Sequence, residues 1–194
     1  MYCIPAESMM SLNHQIFLAV NASDAATPFA VWAGGALAEW PVGIAMLLAL
    51  LAVVRQKPRG FAVALALRVV LTVAVSMGAA CLIRMFHYNP RPFVLGLGRM
   101  LIAHDPTSSF PSLHATFLFS MAFALLLQKG SRGIALFVML LGGATVWARI
   151  FVGVHYPLDM AGAFLTACLA AVTVNFCFQR ARGGWAVKNG GARG

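Results

Sequence analysis

From Gly60 to Phe86 the only charged side chains are Arg68 and Arg84; the rest are apolar or small and uncharged. As a helix that run is ~40 Å long, more than the ~30 Å of a bilayer's hydrocarbon core. Comparable runs span Thr27–Val54, Leu113–Gln128, Gly133–Val152 and Leu158–Phe178. Only helices or closed barrels satisfy their backbone in lipid, and these runs lack the alternation of barrel strands. The pattern predicts an all-α, polytopic transmembrane helical bundle of five spans, with six as the alternative. At 61% hydrophobic residues and a mean hydropathy of +0.84, a soluble domain is excluded.

The first span is too long for one straight crossing and too short for two. It is expected to be tilted, or broken near Gly34-Gly35 and Pro41. Residues 1–178 read as one membrane-embedded domain. Residues 1–26 form its N-terminal segment, in which Leu12–Val20 is weakly amphipathic and expected at the interface. No basic stretch with a cleavage site opens the chain, so no removable signal peptide is expected. Residues 179–194 are Gly-rich and basic and are expected to be a disordered tail. The four cysteines, Cys3, Cys81, Cys168 and Cys177, lack paired spacing and read as small buried hydrophobes.

Five alternating crossings carry three polar clusters to one membrane face. The first runs from Arg84 to Pro92, the second is Pro111-Ser112-Leu113-His114, and the third runs from Arg149 to Asp159. Of the 14 Lys and Arg residues, nine fall on the opposite face: Arg55, Lys57, Arg59, Lys129, Arg132, Arg180, Arg182, Lys188 and Arg193. Four fall on the cluster face: Arg84, Arg91, Arg99 and Arg149. The positive-inside rule puts the nine in the cytoplasm and the clusters outside. The net charge of +9 therefore serves topology and anionic headgroups, and no nucleic-acid partner is expected.

Ionisable groups near hydrocarbon are costly, so these clusters read as functional. Guanidinium forks match phosphate oxygens and stay charged. Arg84, Arg91 and Arg149 together can stabilise the spread negative charge of a transferring phosphoryl group. Ser112, opening a span, adds a hydroxyl beside helix N–H groups. His155 and Asp159 stand four apart, a spacing that shares one helix face, so the carboxylate can orient the imidazole for attack on phosphorus. His114 is placed to protonate a leaving oxygen.

These residues follow the order R-x6-R-P, P-S-x-H, R-x5-H-x3-D. The order resembles the type 2 phosphatidic acid phosphatase superfamily of lipid phosphate phosphatases, with K-x6-R-P, P-S-G-H and S-R-x5-H-x3-D. The resemblance covers residues 84–159. It implies a nucleophile at His155 forming a phosphohistidine, an orienter at Asp159 and a general acid at His114. It also implies phosphate binding by Arg84, Arg91, Ser112 and Arg149, with no metal and no cofactor. Three positions depart from the pattern: Arg84 for Lys, Ala148 for Ser, and Leu113 for Gly. The text around the motifs, such as Phe151-Val-Gly-Val-His-Tyr-Pro-Leu-Asp159, looks most like the bacterial undecaprenyl-diphosphate phosphatases. Such a protein sits in the bacterial inner membrane, its site facing the periplasm or exterior, and frees a lipid carrier for cell-wall synthesis. A phosphatidylglycerol phosphate, phosphatidic acid or lipid A phosphatase, or a phosphotransferase, is the alternative. A membrane scaffold or small transporter is the non-enzymatic one. Protein partners are not assigned.

His14, His87 and His104 read as interfacial anchors, and Arg99 and Asp105 as solvated loop residues. Glu39 and Arg68 read as a structural pair, or Arg68 as reaching back to the cytoplasmic face. Trp32, Trp40 and Trp147 read as span aromatics, and Gly142-Gly143 as close helix packing.

Overall fold

The structure is a computed structural model that describes residues 6–190, with side chains from Leu12 to Ala181. Among the described residues it is all-helical: α1 Ala6–Val20, α2 Pro28–Glu39, α3 Pro41–Val54, α4 Arg59–Phe86, α5 Leu113–Leu126, α6 Arg132–Phe151 and α7 Pro157–Gly190. Short 3-10 turns lie at Pro92–Leu95 and Lys129–Ser131. Among the described residues three stretches are long and apolar enough to cross a membrane: Arg59–Phe86, Lys129–Phe151 and Pro157–Ala181. Helices α2 and α3, bent by 44° at their junction, pass that test together and make a fourth. At 14 residues α5 is shorter. It lies at the centre, packed by α3, α4, α6 and α7. The protein is a multi-pass membrane bundle.

Helix α5 can be central because its polar residues satisfy themselves. Thr116 Oγ1 donates to the Ser112 carbonyl at 2.8 Å, and Ser120 Oγ donates to the Thr116 carbonyl. Small residues on its neighbours let it approach. A Cβ on Gly142 would lie 2.9 Å from the Phe119 ring, whereas one on Gly143 would meet nothing within 4 Å. Close packing thus belongs to Gly142 alone of that pair.

The bend has a local cause. Pro41 lacks the N–H that would bond the Leu37 carbonyl four residues back. Thr145 Oγ1 of α6 donates to that carbonyl instead, at 3.0 Å. The break falls at Trp40-Pro41, as the sequence allows, and Thr27 caps α2 with its Oγ1 accepting from Ala30 N at 3.2 Å.

Several expectations change. Leu12–Val20, expected at the interface, is also docked on the bundle: Phe17 is fully buried, and Leu158 N donates to Asn13 Oδ1 at 3.1 Å, while Leu12, Ile16 and Leu18 stay exposed. Residues 179–190 continue α7, so the helix passes the end assigned to the fifth span; residues 191–194 lie outside the described residues. Cys81 and Cys177 are exposed rather than buried, and Cys168 is partly so; Cys3 lies outside the described residues. Arg68 and Glu39 do not pair. Arg68 donates to Asn175 Oδ1 at 3.0 Å and lies over the Phe178 ring at 4.9 Å. Glu39 is at the other end of the bundle.

Candidate active site

The three polar clusters meet at one end of the bundle. The first closes α4, the second opens α5, and the third joins α6 to α7. The α6–α7 connection is tight because Gly153 takes φ +84°; a Cβ there would collide with the Arg99 carbonyl. His155 follows two residues later and is 1% exposed.

Asp159, on the first turn of α7, is the hub of this half of the site and is fully buried. Its Oδ2 accepts from Tyr156 N at 2.8 Å, lies 3.1 Å from His155 Nδ1, and accepts from Ser109 Oγ. Asn89 Nδ2 reaches Oδ1 at 3.5 Å. The carboxylate thus accepts a hydrogen bond from Nδ1–H, which places the free lone pair of His155 on Nε2. Arg91 Nη1 lies 3.1 Å from that Nε2 and donates to it. Burial, outweighing the nearby Asp159 carboxylate, holds the His155 pKa down to about 3. The ring is therefore neutral and able to act as a nucleophile.

The arginines are held by the long loop 87–112. Arg91 donates through Nε to the Thr107 carbonyl at 3.0 Å and through Nη1 to the Val154 carbonyl at 2.8 Å. Burial, with Arg84 and Arg149 adding to it, lowers its pKa to about 10, which still leaves it charged at neutral pH. Arg84 donates to the Pro111 carbonyl and to Thr107 Oγ1, each at 3.1 Å. The loop is closed on itself by Ser109 N to the Asn89 carbonyl at 2.8 Å and Asn89 N to Ser108 Oγ at 3.1 Å.

The opposite half centres on Arg149 and His114. Arg149 is fully buried; its Nη1 donates to Glu39 Oε1 at 2.7 Å, while Nε and Nη2 have no partner. Ser112 caps α5 without using its hydroxyl, and its buried Oγ also has no partner. Buried donors of this kind are costly unless an acceptor joins them. Arg149 Nε and Nη2 with Ser112 Oγ form an unfilled donor set suited to an anion. His114 Nε2 is 3.2 Å from Glu39 Oε2.

All seven residues singled out from sequence, His155, His114, Asp159, Arg84, Arg91, Ser112 and Arg149, lie in this region. Sequence reasoning missed Glu39, Asn89, Thr107 and Ser109. Glu39 had a signal, a carboxylate two residues before a proline inside an apolar run, but the bend's direction was not readable. His104, read as an anchor, has its ring 6.4 Å from that of His155, and burial and then Arg91 lower its pKa. Arg99, read as a solvated loop residue, is 41% exposed, and its Nε lies 3.3 Å from Asp24 Oδ1, which ties the loop to the α1–α2 link. Leu113 is the first residue of α5, and no residue but glycine has positive φ among the described residues, so leucine here brings no backbone strain. Ala148, in the place of Ser, is fully buried in a cluster with Ala38.

Two cavities adjoin the site. One of about 190 Å³, between α3, α4 and α5, is lined by Val42, Met77, Leu113, His114 and Phe117. The other, of about 430 Å³, lies behind Asp159 toward α1. Tyr156, whose hydroxyl has no partner, lines it.

Residues 61–182 match the PAP2 superfamily. The chain is 30% identical over 177 residues to YbjG of Escherichia coli (strain K12), provisionally named an undecaprenyl-diphosphatase; the match covers 87% of this chain and 84% of that one. It is 35% identical over 99 residues to undecaprenyl-diphosphatase BcrC of Bacillus subtilis (strain 168), covering 51% and 48%. Among solved structures it resembles Aquifex aeolicus LpxE, with a TM-score of 0.69 at 22% identity over 84% of this chain and 94% of that one. It also resembles the PAP2-type phosphatidylglycerolphosphate phosphatase of Bacillus subtilis, with a TM-score of 0.67 at 15% identity, covering 91% and 89%. At these identities the two structures speak for the fold.

Proposed function

The chain belongs to the PAP2 superfamily, and on that premise we propose that it hydrolyses undecaprenyl diphosphate to undecaprenyl phosphate and phosphate. The observation that carries the reading is the unfilled donor set of Arg149 Nε, Arg149 Nη2 and Ser112 Oγ, in a site whose neutral histidine has its carboxylate already in place.

The terminal phosphate is held by Arg84, Arg91, Arg149 and Ser112, and its arrival draws the Arg91 N–H from His155 Nε2. That nitrogen attacks phosphorus, and the bond from phosphorus to the bridging oxygen breaks. His114 gives its proton to the undecaprenyl phosphate that leaves. Water then attacks the phosphohistidine, returns a proton to His114 and releases phosphate, restoring His155. Asp159 keeps Nδ1 and stabilises the charge that develops on the ring. No metal takes part.

The substrate assignment is supported by relatives named undecaprenyl-diphosphatase. It is supported also by the apolar cavity beside His114, where Leu113 and Phe117 offer a path for the tail of the leaving lipid. The nine-to-four split of basic residues supports a site facing outward from the bacterial inner membrane, where this lipid is released.

Expression in a bacterium depleted of its own undecaprenyl-diphosphate phosphatases should restore growth and raise bacitracin resistance, and the His114→Ala variant should do neither. A correctly inserted protein that fails to rescue, yet releases phosphate from phosphatidylglycerol phosphate or phosphatidic acid, would make it a general lipid phosphatase instead. A cysteine introduced at Gly96, after removal of the native ones, should react with a membrane-impermeant thiol reagent in spheroplasts. Protection there would turn the site inward.

A further inference from the structure

The site contains a second carboxylate that the mechanism above does not use. Glu39 lies at the end of α2 with one oxygen on each side: Oε1 accepts from Arg149 Nη1 at 2.7 Å, and Oε2 is 3.2 Å from His114 Nε2. Arg149 is fully buried, while Glu39 is 48% and His114 31% exposed, so the carboxylate stands between the buried cation and the mouth. Its placement is built into the chain. Pro41 bends the span, Thr145 catches the freed Leu37 carbonyl, and Arg149 Nη1 reaches the next carbonyl, Ala38, at 3.5 Å. The bend and the two contacts hold the last turn of α2 against α6 and aim Glu39 at the two donors.

We infer that Glu39 is a positioning residue that orients the general acid His114 and ties it to the phosphate-binding Arg149. This rests on the assignment of His114 as the acid. The two histidines are then arranged in complementary ways. Asp159 takes Nδ1 of His155 and leaves Nε2 for phosphorus. Glu39 takes Nε2 of His114 and leaves Nδ1 to carry the transferable proton. In the protonated ring both nitrogens donate, and the carboxylate stabilises that imidazolium until the proton moves from Nδ1 to the leaving oxygen. The water that cleaves the phosphohistidine returns a proton to the same nitrogen.

The test compares phenyl phosphate with p-nitrophenyl phosphate on the purified protein. The more acidic phenol leaves with less help from an acid. Glu39→Gln should lower kcat/KM, which reports the step that expels the phenol, about 100-fold on phenyl phosphate and under about 10-fold on p-nitrophenyl phosphate, a general acid being worth about 10²–10⁴-fold. Glu39→Asp should restore part of the loss, and His114→Ala should show the same bias at larger size. Pro41→Ala, which shifts the carboxylate without removing it, should show the bias at smaller size and decides the matter if Glu39→Gln does not fold. Equal losses on both substrates, or a rise in KM alone, would overturn the inference, leaving Glu39 a binding or packing residue. Faster turnover in Glu39→Gln would overturn it too, making the carboxylate a plug. An unbiased His114→Ala would instead remove the acid assignment on which the inference stands.

Discussion

The two histidines of the site are held in different ways. His155 is buried in a network whose members come from the start of α7 and the long loop: Asp159, Tyr156 N, Ser109, Asn89 and Arg91. His114 sits near the mouth and meets one exposed carboxylate from a broken helix. The difference follows the work assigned to each. A nucleophile must keep one tautomer and one direction through two displacements, which a buried, many-membered network secures. A proton donor must exchange with an oxygen that enters and leaves with the lipid, which a half-open position allows.

Breaking the buried half should cost most. His155→Ala should abolish the acid-labile phosphoenzyme and lower turnover by at least about 10⁴-fold, as measured by phosphate release. Turnover near the parent level would end the comparison, because the buried histidine would then have no chemical role. Asp159→Asn should leave the helices intact by circular dichroism but cut kcat about 10³-fold. The ring loses the charge that fixes its tautomer, as in other triads where the loss reaches about 10⁴-fold. Ser109→Ala removes one of several donors to Asp159, so a loss of about 5- to 10-fold is expected. A loss as large as that of Asp159→Asn would show that the loop, rather than α7, holds the network together.

The mildest test is of stability. The folded His155 pKa, lowered by burial to about 3, lies below the ordinary value of 6.5. Between those values the unfolded chain binds a proton that the folded chain does not, so stability falls as pH drops below about 6.5. The midpoint of thermal unfolding in detergent should fall by about a few degrees between pH 6.5 and 5.5, and by less in His155→Asn. Parallel curves for the two proteins would show that the ring is already solvated in the fold.

Polar groups at the other end of the bundle are closed locally. Ser131 Oγ reaches the Leu125 carbonyl at 3.1 Å, and Arg68 reaches Asn175 on a neighbouring helix. The core there is a small-residue set that includes Ala45, Ala49, Ala52, Ala122 and Ala135. Both ends bury an arginine, and charge count alone did not tell them apart. Arg149 differs in having Glu39 beside it and two further buried donors, Nε and Nη2, without a partner.

Much was determined along the chain itself. Long apolar runs require helices in lipid, because no other open structure satisfies its backbone there. The four-residue step from His155 to Asp159 announces their contact, although α7 begins at Pro157 and His155 meets the carboxylate from the turn just before the helix. The placing of the clusters at helix ends brings them to one end of the bundle once the helices alternate in direction. Other features depended on the tertiary structure. Pro41 announces a break but not the direction of the bend, which Thr145 and Arg149 of α6 decide by bonding the Leu37 and Ala38 carbonyls. Glu39 enters the site for that reason and was read as Arg68's partner without it. Ser109 and Asn89 reach Asp159 because a loop with no periodicity folds back on itself, and the amphipathic stretch of α1 docks on α7 through Asn13. Periodicity and spacing determine contacts within an element. Contacts between elements depend on which side chains the packed helices and the loop bring within reach.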